Sequence, residues 1–219
     1  MNTTPFDLYS FATPNGQKIS IALELMGLHY NSHTIDIRNG DQHQPDFIQL
    51  SPNGKIPVLV DPTGDNGKPL ALMESVEILL YLAAYSEKLG PKNELDRHKM
   101  MQWLLFQVGH IGPMFGQFGH FFVYAKDTCD HPYPLDRYTK ETQRLLGVLD
   151  NQLVKTGFMH SDELTIVDIA IAPWVHCLSE FYHAQSILEL DQFTNVMPWL
   201  NRFLDSPKVQ KGLQVCAPA

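Results

Sequence analysis

From Phe6 to Phe11 the chain alternates apolar and polar residues, the period of a half-buried strand. Thr13-Pro-Asn-Gly16 interrupts the alternation. From Gln17 onward Ile19, Ala22, Leu23 and Met26 fall at helical spacing, and Gly27 is placed to end that helix. Strand character returns from Tyr30 to Ile37. A polar, glycine-containing stretch, Arg38 to Gln44, leads to a short helix with Pro45 in its first turn. Lys55 to Val60 reads as a strand. Asp61 to Pro69, rich in Gly, Pro, Asp and Asn, reads as a hairpin connection. Leu70 to Met73 closes the hairpin, and a helix follows through Leu82.

That order, β-α-β-α-β-β-α, is the thioredoxin-like pattern: a right-handed βαβ start, an antiparallel hairpin and a closing helix. After Ser86 the pattern changes. Glu87 to Asp96 carries Gly90, Pro91 and several charges, as a linker does. Beyond it the periodicity is helical over Arg97–Val108 and Arg137–Leu153, and Ile166–Leu178 is strongly apolar. Phe121–Tyr124 fits strand or helix. The expected architecture is therefore α/β plus all-α: a thioredoxin-like domain over 1–86, a linker over 87–96 and a helical bundle domain over 97–219. Thr165-Ile-Val-Asp168 fits a capping box, a folding device worth about 1 kcal/mol.

Composition narrows the partners. Of 219 residues, 44% are hydrophobic and 18% charged, which suits packed cores and excludes wholesale disorder. The net charge of −8 offers no footprint for nucleic acid, and no Lys/Arg run suits an anionic membrane surface. No leader-like opening is visible, and no apolar run reaches the roughly 18–20 residues of a membrane span. Cys129, Cys177 and Cys216 are odd in number and far apart, with no CxxC motif. They read as reduced thiols of a cytoplasmic protein. Among ten histidines no metal-ligand spacing occurs, so no metal is expected.

Three small groups of residues fall at loop ends of the first domain. Thr13-Pro14-Asn15-Gly16 opens a helix, whose N-terminus favours an anion and lowers the pKa of a thiol held there. The Thr13 hydroxyl and the Asn15 amide can each donate to such a sulfur; the same residues also suit an ordinary turn with an N-cap. Lys55-Ile56-Pro57 opens a strand. A cis Ile56–Pro57 bond there would turn the Ile56 backbone toward a peptide ligand, although a strand-initiating proline needs no ligand. Glu74-Ser75 stands where a strand meets a helix. Ser75 suits a helix cap or an α-carboxylate, and Glu74 suits a neighbouring α-amino group; together they fit a γ-glutamyl head group.

Pro57, Glu74 and Ser75 at these distances after a βα start resemble the glutathione transferase family, and the resemblance spans essentially the whole chain. Ser51-Pro-Asn-Gly-Lys-Ile-Pro57, Thr13-Pro-Asn-Gly16, Gly112-Pro-Met114 and Gly116-Gln117 resemble its bacterial nu-class. The resemblance implies that Thr13 and Asn15 face the glutathione sulfur as catalytic residues. It implies that Asn15, Gln42, Lys55, Ile56, Glu74 and Ser75 bind glutathione, and that Arg137 holds a glutathione carboxylate from the helical domain. An arginine fork suits that role, as does a surface pairing of Arg137 with Glu141 one turn on.

No cysteine lies near 13–16, so a mixed disulfide on the protein there is excluded. Tyr9 sits in mid-strand, where tyrosines usually pack, and Ser10 falls too early for a serine-type mechanism. The resemblance therefore implies a homodimeric enzyme, a glutathione-dependent disulfide-bond oxidoreductase in which bound glutathione supplies the reducing thiol to a small disulfide. Two alternatives share the site: a transferase or peroxidase acting on an electrophile or hydroperoxide, and a non-catalytic glutathione-binding regulator. The aromatic-rich stretch Phe115–Tyr124, in the His110–Tyr124 region, is the expected wall of the second-substrate side.

Overall fold

The computed structural model describes residues 4–218. Their chain packs as two compact units. Residues up to Gly90 and from Leu204 onward form one; Pro91–Phe203 form the other.

In the first unit, β1 (Phe6–Ser10), α1 (Pro14–Met26), β2 (Tyr30–Thr34), α2 (Pro45–Leu50), β3 (Val58–Asp65), β4 (Lys68–Met73) and α3 (Ser75–Ser86) follow one another. Among the described residues the sheet runs β2-β1-β3-β4, with β1 parallel to β2 and the remaining pairs antiparallel. The thioredoxin-like order read from the pattern is thus present. The hairpin is longer than expected. β3 continues through Asp61 toward the turn, because Asn66 (φ 52°) and Gly67 (φ 82°) both take the left-handed conformation that a tight two-residue turn requires. β3 also starts later, at Val58, which leaves Lys55–Pro57 in the preceding loop.

Leu8, Ile19, Ala22, Leu23, Leu59, Ile78, Leu79 and Leu82 make this unit's core. Residues after Leu204 complete it. Helix α1 packs against the C-terminal segment Pro207–Leu213, where a Cβ on Gly212 would come within 2.7 Å of the Ile21 backbone. The helical domain expected over 97–219 therefore gives up its last stretch to the first unit's core.

In the second unit, α4 (Glu94–Phe106) runs through a π turn (Gln107–Ile111) into α5 (Gly112–Gly119) and a second π turn (His120–Tyr124). Pro113 lacks the N–H that would bond back one turn, and the first wide turn lies immediately before it. Phe121–Tyr124 is thereby helical. Helix α6 (Pro132–Thr156) follows, then α7 (Ile166–His176), the single turn α8 (Gln185–Leu188) and α9 (Val196–Leu204), with α10 (Pro207–Leu213) returning to the first unit.

The capping box at the head of α7 is present. Asp168 is closed off from water, and its carboxylate accepts from Thr165 N (2.9 Å), Thr165 Oγ1 (3.2 Å), Met159 N (2.8 Å) and Trp199 Nε1 (2.9 Å). It ties the helix start to the loop before it and to α9.

Candidate functional site

The first unit brings two helix N-termini and one loop to a single cleft of about 170 Å³. Asn15 comes from the first turn of α1. Ser51, Asn53, Lys55, Ile56 and Pro57 come from the loop before β3. Met73, Glu74 and Ser75 come from the β4–α3 junction. Each helix start leaves backbone N–H groups without intrahelical partners and carries partial positive charge, so the cleft favours an anionic ligand.

Local chemistry explains the arrangement. Thr13 is the N-cap of α1, and Pro14 follows at the first helical position. Gly16 is required by close approach: a Cβ there would stand 2.0 Å from the Phe11 carbonyl oxygen. The loop is held by Ser51, whose Oγ donates to Lys55 O (2.9 Å) and accepts from Lys55 N (3.3 Å). The Ile56–Pro57 bond is cis. Glu74 takes φ 70° and ψ 109°, a conformation that costs a non-glycine residue about 1–3 kcal/mol and that clusters at ligand clamps. Its carbonyl accepts from Ile78 N, so Glu74 is the N-cap of α3 by position, and its side chain makes no capping bond. Ser75 is thus the first helical residue and not the cap expected from sequence. Its hydroxyl is engaged elsewhere.

That engagement is with Lys18. The Lys18 side chain is 1% exposed and donates from Nζ to Asn15 Oδ1 at 2.8 Å and to Ser75 Oγ at 3.3 Å. Burial brings its pKa down to about 7, against the opposing field of Glu74. Sequence reasoning passed over Lys18, yet a signal was there. A lysine three residues after Asn15, on the same face as Ala22 and one position before Ile19, falls within the apolar stripe of α1.

Of the residues singled out in the sequence, Asn15, Lys55, Ile56, Glu74 and Ser75 line the cleft together. Thr13 lies just outside the lining, its Oγ1 accepting from Gly16 N at 3.5 Å. Gln42 is also outside it and donates to Ile37 O at 3.4 Å. Arg137 belongs to the second unit, on a broad cleft of about 570 Å³ shared with His110, Tyr138 and Glu141. There Arg144, not Arg137, forms the forked pair with Glu141 (2.9 and 2.7 Å) and holds that carboxyl below its usual range. Tyr9 packs in the strand, its ring stacked on His33 at 4.5 Å, with its phenol raised by burial and by Asp7.

No cysteine lines the first cleft. Cys216 is buried with its thiol pKa pushed up, and burial raises the Cys177 thiol to about 12. Among the described residues no cluster of three or more His, Cys, Asp or Glu side chains gathers as a metal site, and no helix is long and apolar enough to cross a membrane.

Residues 12–84 match the family described as Glutathione S-transferase, N-terminal domain, and residues 113–207 match Glutathione S-transferase, C-terminal domain. Among curated relatives, the disulfide-bond oxidoreductase YfcG of Escherichia coli (strain K12) is 38% identical over 94% of this chain and 94% of its own length. A glutathione transferase from Pseudomonas putida, solved with one glutathione disulfide per subunit, superposes with a TM-score of 0.92. It is 48% identical and covers 96% of this chain and 91% of that one. A family member from Pseudomonas fluorescens pf-5, solved with two glutathione molecules bound, gives 0.94 at 43% identity, covering 97% and 94%.

Proposed function

The chain belongs to the glutathione S-transferase family, and from that premise we propose that it is a glutathione-dependent disulfide-bond oxidoreductase whose own cysteines take no part. The observation that carries the proposal is the cleft itself: hydrogen-bond donors and two helix starts around Asn15, Glu74 and Ser75, with no thiol in its lining. At about 170 Å³ it is smaller than the roughly 300–1,000 Å³ of a pocket that encloses its ligand, so it takes the head group of a peptide and leaves the rest accessible.

In this reading the Ser75 N–H and hydroxyl receive the α-carboxylate of glutathione, and Glu74 receives its α-amino group. Ile56 pairs with the peptide backbone as one strand does with another. The sulfur lies at the start of α1, where the Asn15 amide donates to the thiolate and Thr13 stands beside it. Lys55 and Gln42 border the glycyl end.

The thiolate attacks one sulfur of a small disulfide, forms a mixed disulfide and releases one thiolate. A second glutathione thiolate attacks the glutathione sulfur of that intermediate, releasing the other thiolate and glutathione disulfide. Two thiols are oxidised and one disulfide is reduced, so the electrons balance. Such exchange needs a lowered thiol pKa, access and alignment, all of which a host of donors supplies. The Pseudomonas proteins solved with glutathione disulfide or with two glutathione molecules support this stoichiometry.

The reading extends to a cytoplasmic homodimer. Leu95, Leu105 and Val108, large apolar side chains exposed along α4 and its π turn, support a dimer face there, and sedimentation checks it. The function is tested by steady-state rates with glutathione and a small disulfide, beside a hydroperoxide and a chloronitroaromatic. The disulfide is expected to be the fastest by at least an order of magnitude; a faster electrophile would make the chain a conjugating transferase instead.

A further inference from the structure

We propose that Lys18 is the positioning residue of the glutathione cleft, one buried ammonium whose bonds to Asn15 Oδ1 and Ser75 Oγ turn the donors of both residues outward to the ligand. The inference rests on the glutathione reading of that cleft and goes beyond it, because Lys18 does not line the cleft and acts through residues that do.

An asparagine side chain has one carbonyl oxygen and one NH2, and a hydroxyl has lone pairs and a single proton. A protonated lysine is donor only. With its ammonium on Asn15 Oδ1, the NH2 end of the Asn15 amide is the end turned away from Lys18, on the side of the cleft. With the same ammonium on Ser75 Oγ, the hydroxyl proton is directed away from Lys18, toward the carboxylate position. One charge thereby sets the polarity of both ends of the site, which lie on different helices. A neutral amine keeps two N–H donors but gains a lone pair that can accept from Ser75, so only the protonated form forces both acceptors toward Lys18.

The surroundings make that proton conditional. Helix α1 packs against β1, α3 and α10. From the head of α3, Glu74 favours the charged form, while burial opposes it and brings the pKa to about 7. Glu77, further along α3, is exposed to solvent. On β1, Asp7 is engaged with His33 at 2.8 Å and Asn31 at 3.2 Å. On α10, Lys211 pairs with Glu24 at 2.9 Å, and Lys208 donates to Leu25 O at 3.5 Å. An anionic ligand in the cleft adds negative charge on the Asn15 and Ser75 side, so binding and protonation of Lys18 reinforce each other.

Calorimetry with S-methylglutathione removes the thiol's titration, and the ligand's own α-amino titration, common to wild type and Lys18 variants, is separated by comparing them. Wild-type affinity is expected to fall roughly tenfold or more from pH 6 to pH 8.5, with net proton uptake on binding near pH 7.5, read by comparing buffers of different ionisation enthalpy. Lys18→Met is expected to bind at least tenfold more weakly at pH 6 and with the steep pH dependence gone. Lys18→Gln keeps N–H donors without a titrating charge, and is expected between the two with an equally flat profile. Should neither variant fold, an NMR titration of the Lys18 side chain with and without S-methylglutathione decides, an upward shift of its pKa on binding being the expected result and an unchanged pKa overturning the role. Flat wild-type affinity without proton uptake, or variants that match the wild type, would overturn the role of Lys18. Failure of the wild type to bind at millimolar ligand would overturn the glutathione reading beneath it.

Discussion

Asp168 and Lys18 are both closed off from water in the opening turns of a helix, and the surroundings of the two charges differ in kind. Asp168 stands in the first turn of α7, where the helix dipole favours a negative charge, and four donors meet its carboxylate. Burial still pushes its pKa up, but the bonds pull the other way and the carboxylate is fully engaged within the protein. Lys18 stands near the start of α1, where the dipole disfavours a positive charge. Asn15 and Ser75, to which it donates, are side chains that border an open cleft. One charge closes a structure. The other is held at a cost, at a place where a ligand can repay it, and departures of this kind from local rules collect at functional sites.

The contrast is broken most severely at Asp168. Asp168→Ala leaves Met159 N, Thr165 N and Trp199 Nε1 without their acceptor and is expected to cost about 3–5 kcal/mol, lowering Tm by roughly 10 °C in a thermal melt. Glutathione affinity of the folded fraction is expected to be unchanged.

Lys18→Met is expected to act in the opposite sense on stability. The pKa of Lys18 falls from 10.5 to about 7 on folding, so between those values the unfolded chain binds the additional proton. Wild-type stability should therefore climb as pH rises from about 7 to 10.5, over a span on the order of 4 kcal/mol, and the Met variant should lack that slope. At pH 6 the variant is expected to melt no lower than wild type, and up to about 3 kcal/mol more stable, in denaturant titrations at a series of pH values.

Asn15→Ala sharpens the functional side. Loss of a charge-assisted bond to the thiolate, about 1.5–3 kcal/mol, is expected to lower disulfide turnover roughly 10- to 100-fold, and loss of an acceptor for the buried Lys18 ammonium is expected to lower Tm by several degrees in the same variant. The smallest effect is expected at Glu74. Glycine takes φ 70° without strain, so Glu74→Gly is expected to gain about 1 kcal/mol in stability while raising the KM for glutathione.

How much of this was legible in the sequence follows the same division. The thioredoxin-like order, the α7 capping box and the junction at Glu74-Ser75 show in short-range chemistry, because strand period, N-cap residues and proline each act within a few positions. The tail was not legible. Val209 and Leu213 of α10 are apolar at helical spacing, which says that a face is buried but not against which element. The close approach of Gly212 to Ile21 and the Ser20 Oγ bond to Gly212 O (2.7 Å) identify α1 as the partner. Lys18 was hidden for another reason. A lysine in an amphipathic helix usually carries its charge to the surface, and only the neighbourhood of Ser75, 57 residues away, shows that this one does not. The positive φ of Glu74 depends on the meeting of β4 with α3, which no local pattern encodes.

Glutathione sulfur is expected to be handled by protein donors and not by a protein thiol, and a crystal soaked in glutathione disulfide examines that directly. The expected result is a γ-glutamyl carboxylate on Ser75, the α-amino group by Glu74 and a sulfur within hydrogen-bonding distance of the Asn15 amide, with Cys129, Cys177 and Cys216 unmodified. Glutathione joined to any of those cysteines, or bound away from Asn15 and Ser75, would contradict it.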